Sequence, residues 1–141
     1  MSQCPKARGF SLIELLLVVA ILGIISAIAI PQFLGQKRRA QVIGDAQSNA
    51  RVMAMALETR KADSGIYGTA AASYTWTAGV PSDATFLPTV SLTNATKMNF
   101  GILITNGGLG YTLTVKDPAN SDAQVLTLDQ MGTITLSSAY K

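Results

Sequence analysis

One carboxylate, Glu14, lies within a run of apolar residues at positions 10–30, where the other polar side chains are Ser11 and Ser26. A carboxylate inside a bilayer-length apolar helix costs about 2.5 to 3.5 kcal/mol, so it must be neutralised or paired. In a low-dielectric bundle such a pair sets register more than it adds net stability. The position of Glu14 therefore indicates ion pairing. The alternative is a glutamate close enough to the membrane interface to reach water.

Residues that commonly perform catalysis or bind zinc are scarce in this chain. It has no histidine, which is the commonest general base, and its one cysteine is Cys4. Oxygen ligands occur near the carboxyl terminus at Asp117, Asn120, Asp122 and Asp129. Their spacing does not match an EF-hand loop and is ordinary for turns. We therefore expect no enzyme activity, no cofactor and no metal site.

Charged residues make up 13% of the chain, and the net charge is +3. The usual charged share is about 25%, so this composition suggests that part of the chain meets lipid or protein rather than water. Lys37, Arg38 and Arg39 form a basic cluster whose nearby aromatic residue is Phe33. Nucleic acid binding requires more basic charge with interleaved aromatics. We expect the cluster to face solvent or lipid headgroups, with acidic residues of neighbouring chains as an alternative, and we predict no nucleic acid partner.

The apolar run at positions 10–30 is long enough to cross a membrane. As a helix its 21 residues extend about 31 Å, which matches a hydrocarbon core of about 30 Å. The apolar run of a secretory signal peptide is shorter, at about 7 to 15 residues. Basic residues flank both ends of the run, so the charge distribution predicts no orientation. We expect a transmembrane helix here.

Two residues that weaken helices occur at this segment: Gly23 lies inside the apolar run and Pro31 follows it. Pro31 lacks a backbone N–H and its ring clashes with the preceding turn, so we expect a kink or a break. One interpretation is local loss of helical hydrogen bonding that lets the helix stretch or melt when packed in an assembly. The other is a small residue that eases helix packing and a proline that marks the membrane exit.

Helical patterning resumes after the proline. An apolar stripe with alternating intervals of three and four residues consists of Ile43, Ala46, Ala50, Met53 and Leu57. The other faces carry Asp45, Asn49, Arg51 and Glu58. A stop signal follows at residues 63–65. One bent helix over residues 10–62 would be about 80 Å long, against a radius of gyration near 14 Å for a compact chain, so we expect its apolar half to protrude.

The rest of the chain predicts a small sheet. Residues 66–97 are rich in Ala, Ser and Thr and indicate a long, partly ordered connection. Its possible anchors over the helix are Tyr67, Tyr74, Trp76, Phe86 and Leu87. Alternating runs predict four strands at 98–104, 111–116, 124–128 and 133–136. The apolar face of an antiparallel meander would pack on the helix stripe, which gives an α+β fold.

The segment at positions 6–14, KARGFSLIE, is followed by the apolar run and Pro31. This combination closely resembles the amino terminus of bacterial type IV prepilins, in the type IVa style, and of type II secretion pseudopilins. The resemblance implies cleavage between Gly9 and Phe10 by a prepilin peptidase that also methylates the new amino group of Phe10. It further implies that Glu14 attracts the Phe10 amine of a neighbouring subunit during assembly, with Gly23 and Pro31 as further assembly residues.

The resemblance also implies a domain organisation and partners. Residues 1–9 would be a leader, 10–30 a membrane and filament-core half-helix, 31–62 an amphipathic half-helix, 63–97 a connecting loop and 98–141 a sheet head. The precursor would lie in the bacterial inner membrane. The product would be a homo-oligomeric helical filament at the cell surface, built by an assembly platform and its ATPase.

Three other assignments remain open from the sequence. A minor pilin and a type II secretion pseudopilin share the same amino-terminal signal. A membrane-anchored binding module that never polymerises would need no cleavage.

Many pilins also close a carboxy-terminal loop with a disulfide, which a chain cleaved after Gly9 could not form because Cys4 is removed. We therefore expect packing alone to secure the edge of the sheet.

Overall fold

A computed structural model describes residues 9–141, and the residues before Gly9, including Cys4 and most of the predicted leader, lie outside this range. The described chain divides into two compact units, residues 9–38 and residues 39–141. Within it there is one α-helix, α1 (Leu12–Ser64), which begins in the first unit and ends in the second. Gly65 terminates this helix in the left-handed region, at φ +81°, and its N–H donates to the Lys61 carbonyl at 2.8 Å.

The first unit is an apolar stretch of helix. Helix α1 is continuous through Gly23 and Pro31. Within residues 12–38 the large apolar side chains of this helix are all exposed, from 49% at Ile21 to 77% at Leu12. By length and composition it is the helix within residues 9–141 that could cross a membrane. An exposed apolar surface of this extent indicates contact with lipid or with protein.

The second unit contains an antiparallel sheet. In the described part of the chain it has six strands, in the order β2-β1-β3-β4-β5-β6. The strands are β1 (Ser73–Thr77), β2 (Val80–Pro81), β3 (Asn99–Thr105), β4 (Gly110–Asp117), β5 (Ala123–Asp129) and β6 (Ile134–Leu136). The α+β class and the last four strands are confirmed. The predicted number of about four strands was wrong.

The two unpredicted strands lie where the sequence indicated a long connection. They form a hairpin whose turn residues, Ala78 and Gly79, both have positive φ, at 51° and 84°. This is the conformation of a two-residue type I′ turn. Strand β1 pairs with β3, which follows it by more than twenty residues. Because β-structure depends on such distant pairing, local composition did not predict it.

The core of the second unit lies between α1 and the inner face of the sheet. The helix stripe is confirmed: Ala46, Ala50, Met53 and Leu57 are fully buried, and Ile43 is partly buried. The largest fully buried side chains from the sheet are Ile102, Ile104, Leu113, Val115, Val125, Leu126 and Leu128. The two apolar surfaces therefore bury each other.

Asn49 lies on the buried side of α1, not on the solvent faces where the sequence placed it. Its side chain is 1% exposed. Its Nδ2 donates to the Thr93 carbonyl at 2.7 Å, and the Thr93 N–H donates to its Oδ1 at 2.9 Å. A side-chain amide offers one acceptor and two donors, so a loop backbone can satisfy it inside a core. Asn49 thus fixes the connection against the helix.

The aromatic anchors predicted in the connection are in place. Tyr67, Trp76 and Phe86 are buried, and the Tyr74 ring stacks on the Phe86 ring at 3.4 Å between centroids. From the helix, the Arg60 guanidinium lies 4.8 Å from the Phe86 ring centroid, and its Nη1 donates to the Phe86 carbonyl at 2.8 Å. The connection is therefore a packed part of the second unit, residues 39–141, hereafter called the head.

Candidate functional site

Residues 9–11 form a short, exposed, non-helical segment in front of α1. A Cβ added at Gly9 would meet no atom within 4 Å. Crowding by the described residues, 9–141, therefore gives no reason for glycine at this position.

Glu14 lies in the first turn of α1. Its Oε2 accepts a hydrogen bond from the backbone N–H of Ser11 at 3.1 Å. This is the glutamate half of a capping box, in which the residue three positions into the helix caps the residue before it. The carboxylate also lies at the positive end of the helix dipole, where an anion is favoured.

The capping role of Glu14 was not recognised in the sequence, although its signal is visible. Ser11 and Glu14 form the pattern S-x-x-E directly before an apolar run. The hydrogen bond uses Oε2, and a carboxylate can accept about four hydrogen bonds in all. Glu14 can therefore keep its own helix capped while it accepts a second, charged donor.

The remaining predicted assembly residues lie along the exposed part of the helix. A Cβ added at Gly23 would meet no atom within 4 Å, so no close approach within the described chain explains this glycine. Pro31 lies inside the helix and is exposed. Lys37, Arg38 and Arg39 are exposed on the same helix. None of these residues is placed near Glu14 by a contact within the chain.

The acidic residues near the carboxyl terminus serve separate local bonds. Asp129 Oδ1 accepts from the N–H groups of Met131 and Thr133, both at 2.9 Å. Asp122 accepts from Asn99 at 2.7 Å and lies 3.8 Å from the Lys116 ammonium. Across residues 9–141 there is no group of three His, Cys, Asp or Glu side chains that could hold a metal ion. These carboxylates therefore organise turns.

The pKa values of two tyrosines in the head, Tyr67 and Tyr111, are raised. Burial, followed by the 2.7 Å hydrogen bond that its hydroxyl donates to Glu58 Oε1, raises the pKa of Tyr67 to about 12. Burial, followed by the negative charge of Glu58, also raises the pKa of Tyr111 to about 12. The two rings meet edge to face, with centroids 4.8 Å apart. Lys61 Nζ also donates a hydrogen bond to the Tyr67 hydroxyl at 3.3 Å.

We expect the free energy of unfolding to fall as pH rises from about 10 to about 12. An unfolded tyrosine loses its proton near pH 10, whereas folded Tyr67 and Tyr111 keep theirs to about 12. The stabilisation is therefore complete below about pH 10 and is lost as pH approaches 12. Denaturant unfolding of the full chain in detergent, across this window, measures the decline. A double variant with phenylalanine at both positions should decline less, and an equal decline would contradict the assignment.

The amino-terminal segment matches a known family model. The family is described as the prokaryotic N-terminal methylation motif, and the match covers residues 4–30. The matched part includes Gly9, Phe10, Glu14 and Gly23, and it ends directly before Pro31.

The chain is also similar to individual proteins over part of its length. The chain is 49% identical over 55 residues to a type IV major pilin protein of Myxococcus xanthus, covering 39% of this chain and 23% of that protein. It is 40% identical over 82 residues to a type IV major fimbrial protein of Dichelobacter nodosus, covering 55% of this chain and 51% of that protein. The type II secretion system core protein G of Vibrio cholerae is 35% identical over 69 residues, covering 49% and 47% of the two chains.

The chain thus spans about half, or less, of the length of these relatives. No solved structure gives a significant match. The relatives are named as pilus subunits and a secretion-system core protein, not as enzymes. The amino-terminal segment of this chain therefore carries the prokaryotic N-terminal methylation motif, and the chain is similar to type IV major pilin and fimbrial proteins and to a type II secretion system core protein.

Proposed function

We propose that this chain is the precursor of a structural filament subunit. A prepilin peptidase cuts it between Gly9 and Phe10 and methylates the amino group of Phe10, and the product polymerises through its apolar helix into a type IV pilus. The observation that supports this most directly is an exposed apolar stretch of helix with a carboxylate in its first turn.

The exposed apolar surface of the helix must be covered by lipid or by other protein chains. Burial of apolar side chains is favoured by about 25 cal/mol for each Å² removed from water. Before assembly the inner membrane covers the apolar residues 10–30, and after assembly the helices of other copies cover them. The assembly platform and its ATPase move the subunit from the first environment to the second, so the chain itself performs no catalysis.

Cleavage supplies the partner that Glu14 requires. The cut creates an ammonium group at Phe10, one residue before the amide that Glu14 already caps. In a filament the carboxylate binds the Phe10 amine of a neighbouring subunit while it keeps its own helix capped. A buried pair of this kind fixes the axial register of two copies.

Gly23 and Pro31 act in the assembled state. Neither has a crowded neighbour or an interrupted helix that would explain it within the described residues. Gly23 gives neighbouring helices room to approach each other. Pro31 removes one helical hydrogen bond, so local unwinding near it is the least costly in the helix.

The test is to shear filaments from cells that express this chain and to measure the intact mass of their subunits. We expect subunits that begin at Phe10 and carry one added methyl group. Filaments whose subunits begin at Met1 would contradict the proposal. Electron microscopy that finds no fibres containing this chain would favour a membrane-anchored binding module instead.

A second candidate is a pseudopilin of a type II secretion system, and its specific support is the similarity to core protein G. A minor pilin shares the same amino-terminal signal. Deletion of the gene separates the three. Loss of all surface fibres indicates a major pilin, reduced fibre number indicates a minor pilin, and loss of protein secretion with fibres intact indicates a pseudopilin.

A further inference from the structure

The last residues of the chain are held tightly against the head. After β6 they form a short 3-10 helix (Ser138–Tyr140). The Ser137 N–H donates to the Val125 carbonyl at 2.9 Å, and the Tyr140 N–H donates to the Ser137 carbonyl at 3.0 Å. The Tyr140 side chain is only 7% exposed.

A hydrogen bond between two buried side chains holds these residues against the sheet. The Tyr140 hydroxyl donates to Asp117 Oδ2 at 2.8 Å, and Asp117 is 5% exposed. The other carboxylate oxygen, Oδ1, accepts from the Ala119 N–H at 2.9 Å. Asn120 Nδ2 donates to the Tyr140 hydroxyl at 3.4 Å. Both oxygens of a buried carboxylate are thus satisfied, and one of them depends on Tyr140.

The strand that this bond protects is weak by itself. Strand β6 has three residues and lies at the edge of the sheet, paired with β5 at Leu126–Leu128. Its apolar side chains, Ile134 and Leu136, are only partly buried. A short edge strand with little buried surface frays readily. Its retention on the sheet therefore depends on residues 137–141, which come after it in the chain.

We propose that the Tyr140–Asp117 pair is a clasp that decides whether residues 134–141 stay on the sheet. In this proposal the hydrogen bond acts together with the packing that the sequence led us to expect at this edge. When the clasp is closed, β6 covers the outer edge of β5. When it opens, residues 134–141 leave as a unit, and the backbone of β5 at positions 126–128 loses its partner. An unpaired strand edge is a template for pairing with another chain, so the clasp protects the head from such pairing.

Hydrogen exchange of the full chain in detergent tests the clasp, with Tyr140→Phe as the variant. This change removes one hydroxyl and keeps the ring, so the head should still fold. Loss of a hydrogen bond to a charged group corresponds to about a 10- to 100-fold change in opening. We expect amides of residues 134–141 to exchange faster by that factor, while those of β3, β4 and residues 46–57 of α1 stay unchanged.

The matched control is Tyr74→Phe, which removes a hydroxyl from a partly buried ring elsewhere on the sheet. It should leave exchange at residues 134–141 as in the unchanged protein. Asp117→Asn is a second variant, because it removes the charge that accepts from Tyr140, and it should accelerate the same residues. Unchanged exchange at 134–141 in Tyr140→Phe would overturn the proposal. So would equal acceleration across the whole head, since that would indicate a general loss of stability.

Discussion

Glu14→Gln is expected to abolish filament formation while the protein still inserts into the membrane. Glutamine preserves the capping box because its side-chain oxygen can still accept from the Ser11 N–H. It removes the charge, so the Phe10 ammonium of the neighbouring subunit has no partner. Leaving one member of a buried ion pair unpaired costs about 3 to 5 kcal/mol, which is roughly a hundredfold or more in the association of each subunit.

The measurement is the amount of this chain in sheared fibres relative to the amount in the membrane fraction. Insertion should not suffer, because an uncharged side chain enters a bilayer at lower cost than a carboxylate. Glu14→Val, which removes both the charge and the cap, should also block assembly. Asp63→Asn is the control, since Asp63 is an exposed carboxylate of the head and the substitution removes the same charge. Normal fibres from Glu14→Gln would show that capping, not charge, is the role of Glu14.

Leu113→Ala is expected to destabilise the head by about 2 to 5 kcal/mol, because it opens a cavity in a well-packed core. Leu113 lies on β4, a central strand, and its side chain is 0% exposed. A domain of this size has a total stability of about 5 to 15 kcal/mol, so the change removes a large share of it. Denaturant unfolding of the full chain in detergent, followed by circular dichroism, measures the loss.

Leu103→Ala is the matched control for that variant. Leu103 lies on the adjacent strand β3 but on the outer face of the sheet, and it is 48% exposed. The same deletion there should cost about 1 kcal/mol or less. Equal losses at the two positions would mean that the inner face of the sheet is not the core of the head.

Much of this architecture is encoded locally. The apolar run, the stripe from Ala46 to Leu57 and the alternation in β3 to β5 each have a period that matches one type of element. These periods indicate which face is buried, so the α+β class and the packing of helix on sheet could be predicted from them. The family resemblance likewise depends on contiguous residues, from Lys6 to Glu14.

The features that were missed depend on residues far apart in the chain. Strand β1 is specified by its pairing with β3, and Asn49 is buried because Thr93 satisfies its amide. The bond from Tyr140 to Asp117 joins residues separated by 23 positions. Side-chain type alone assigns Asn49 to solvent and Asp117 to a turn. Only the folded chain brings their partners to them.

The continuity of α1 through Pro31 has a consequence for how the helix fits a bilayer. A proline inside a helix leaves the carbonyl four residues before it, that of Ala27, without a helical donor. Lipid offers no donor either, so this carbonyl favours the headgroup region, as the Glu14 carboxylate does at the other end. Residues 10–30 together are long enough to cross about 30 Å of hydrocarbon, but the part of the helix between the Glu14 carboxylate and the Ala27 carbonyl is only about 20 Å long. In the proposed membrane-bound precursor such hydrophobic mismatch would strain the surrounding lipid, and the proposed transfer into a filament would relieve that strain.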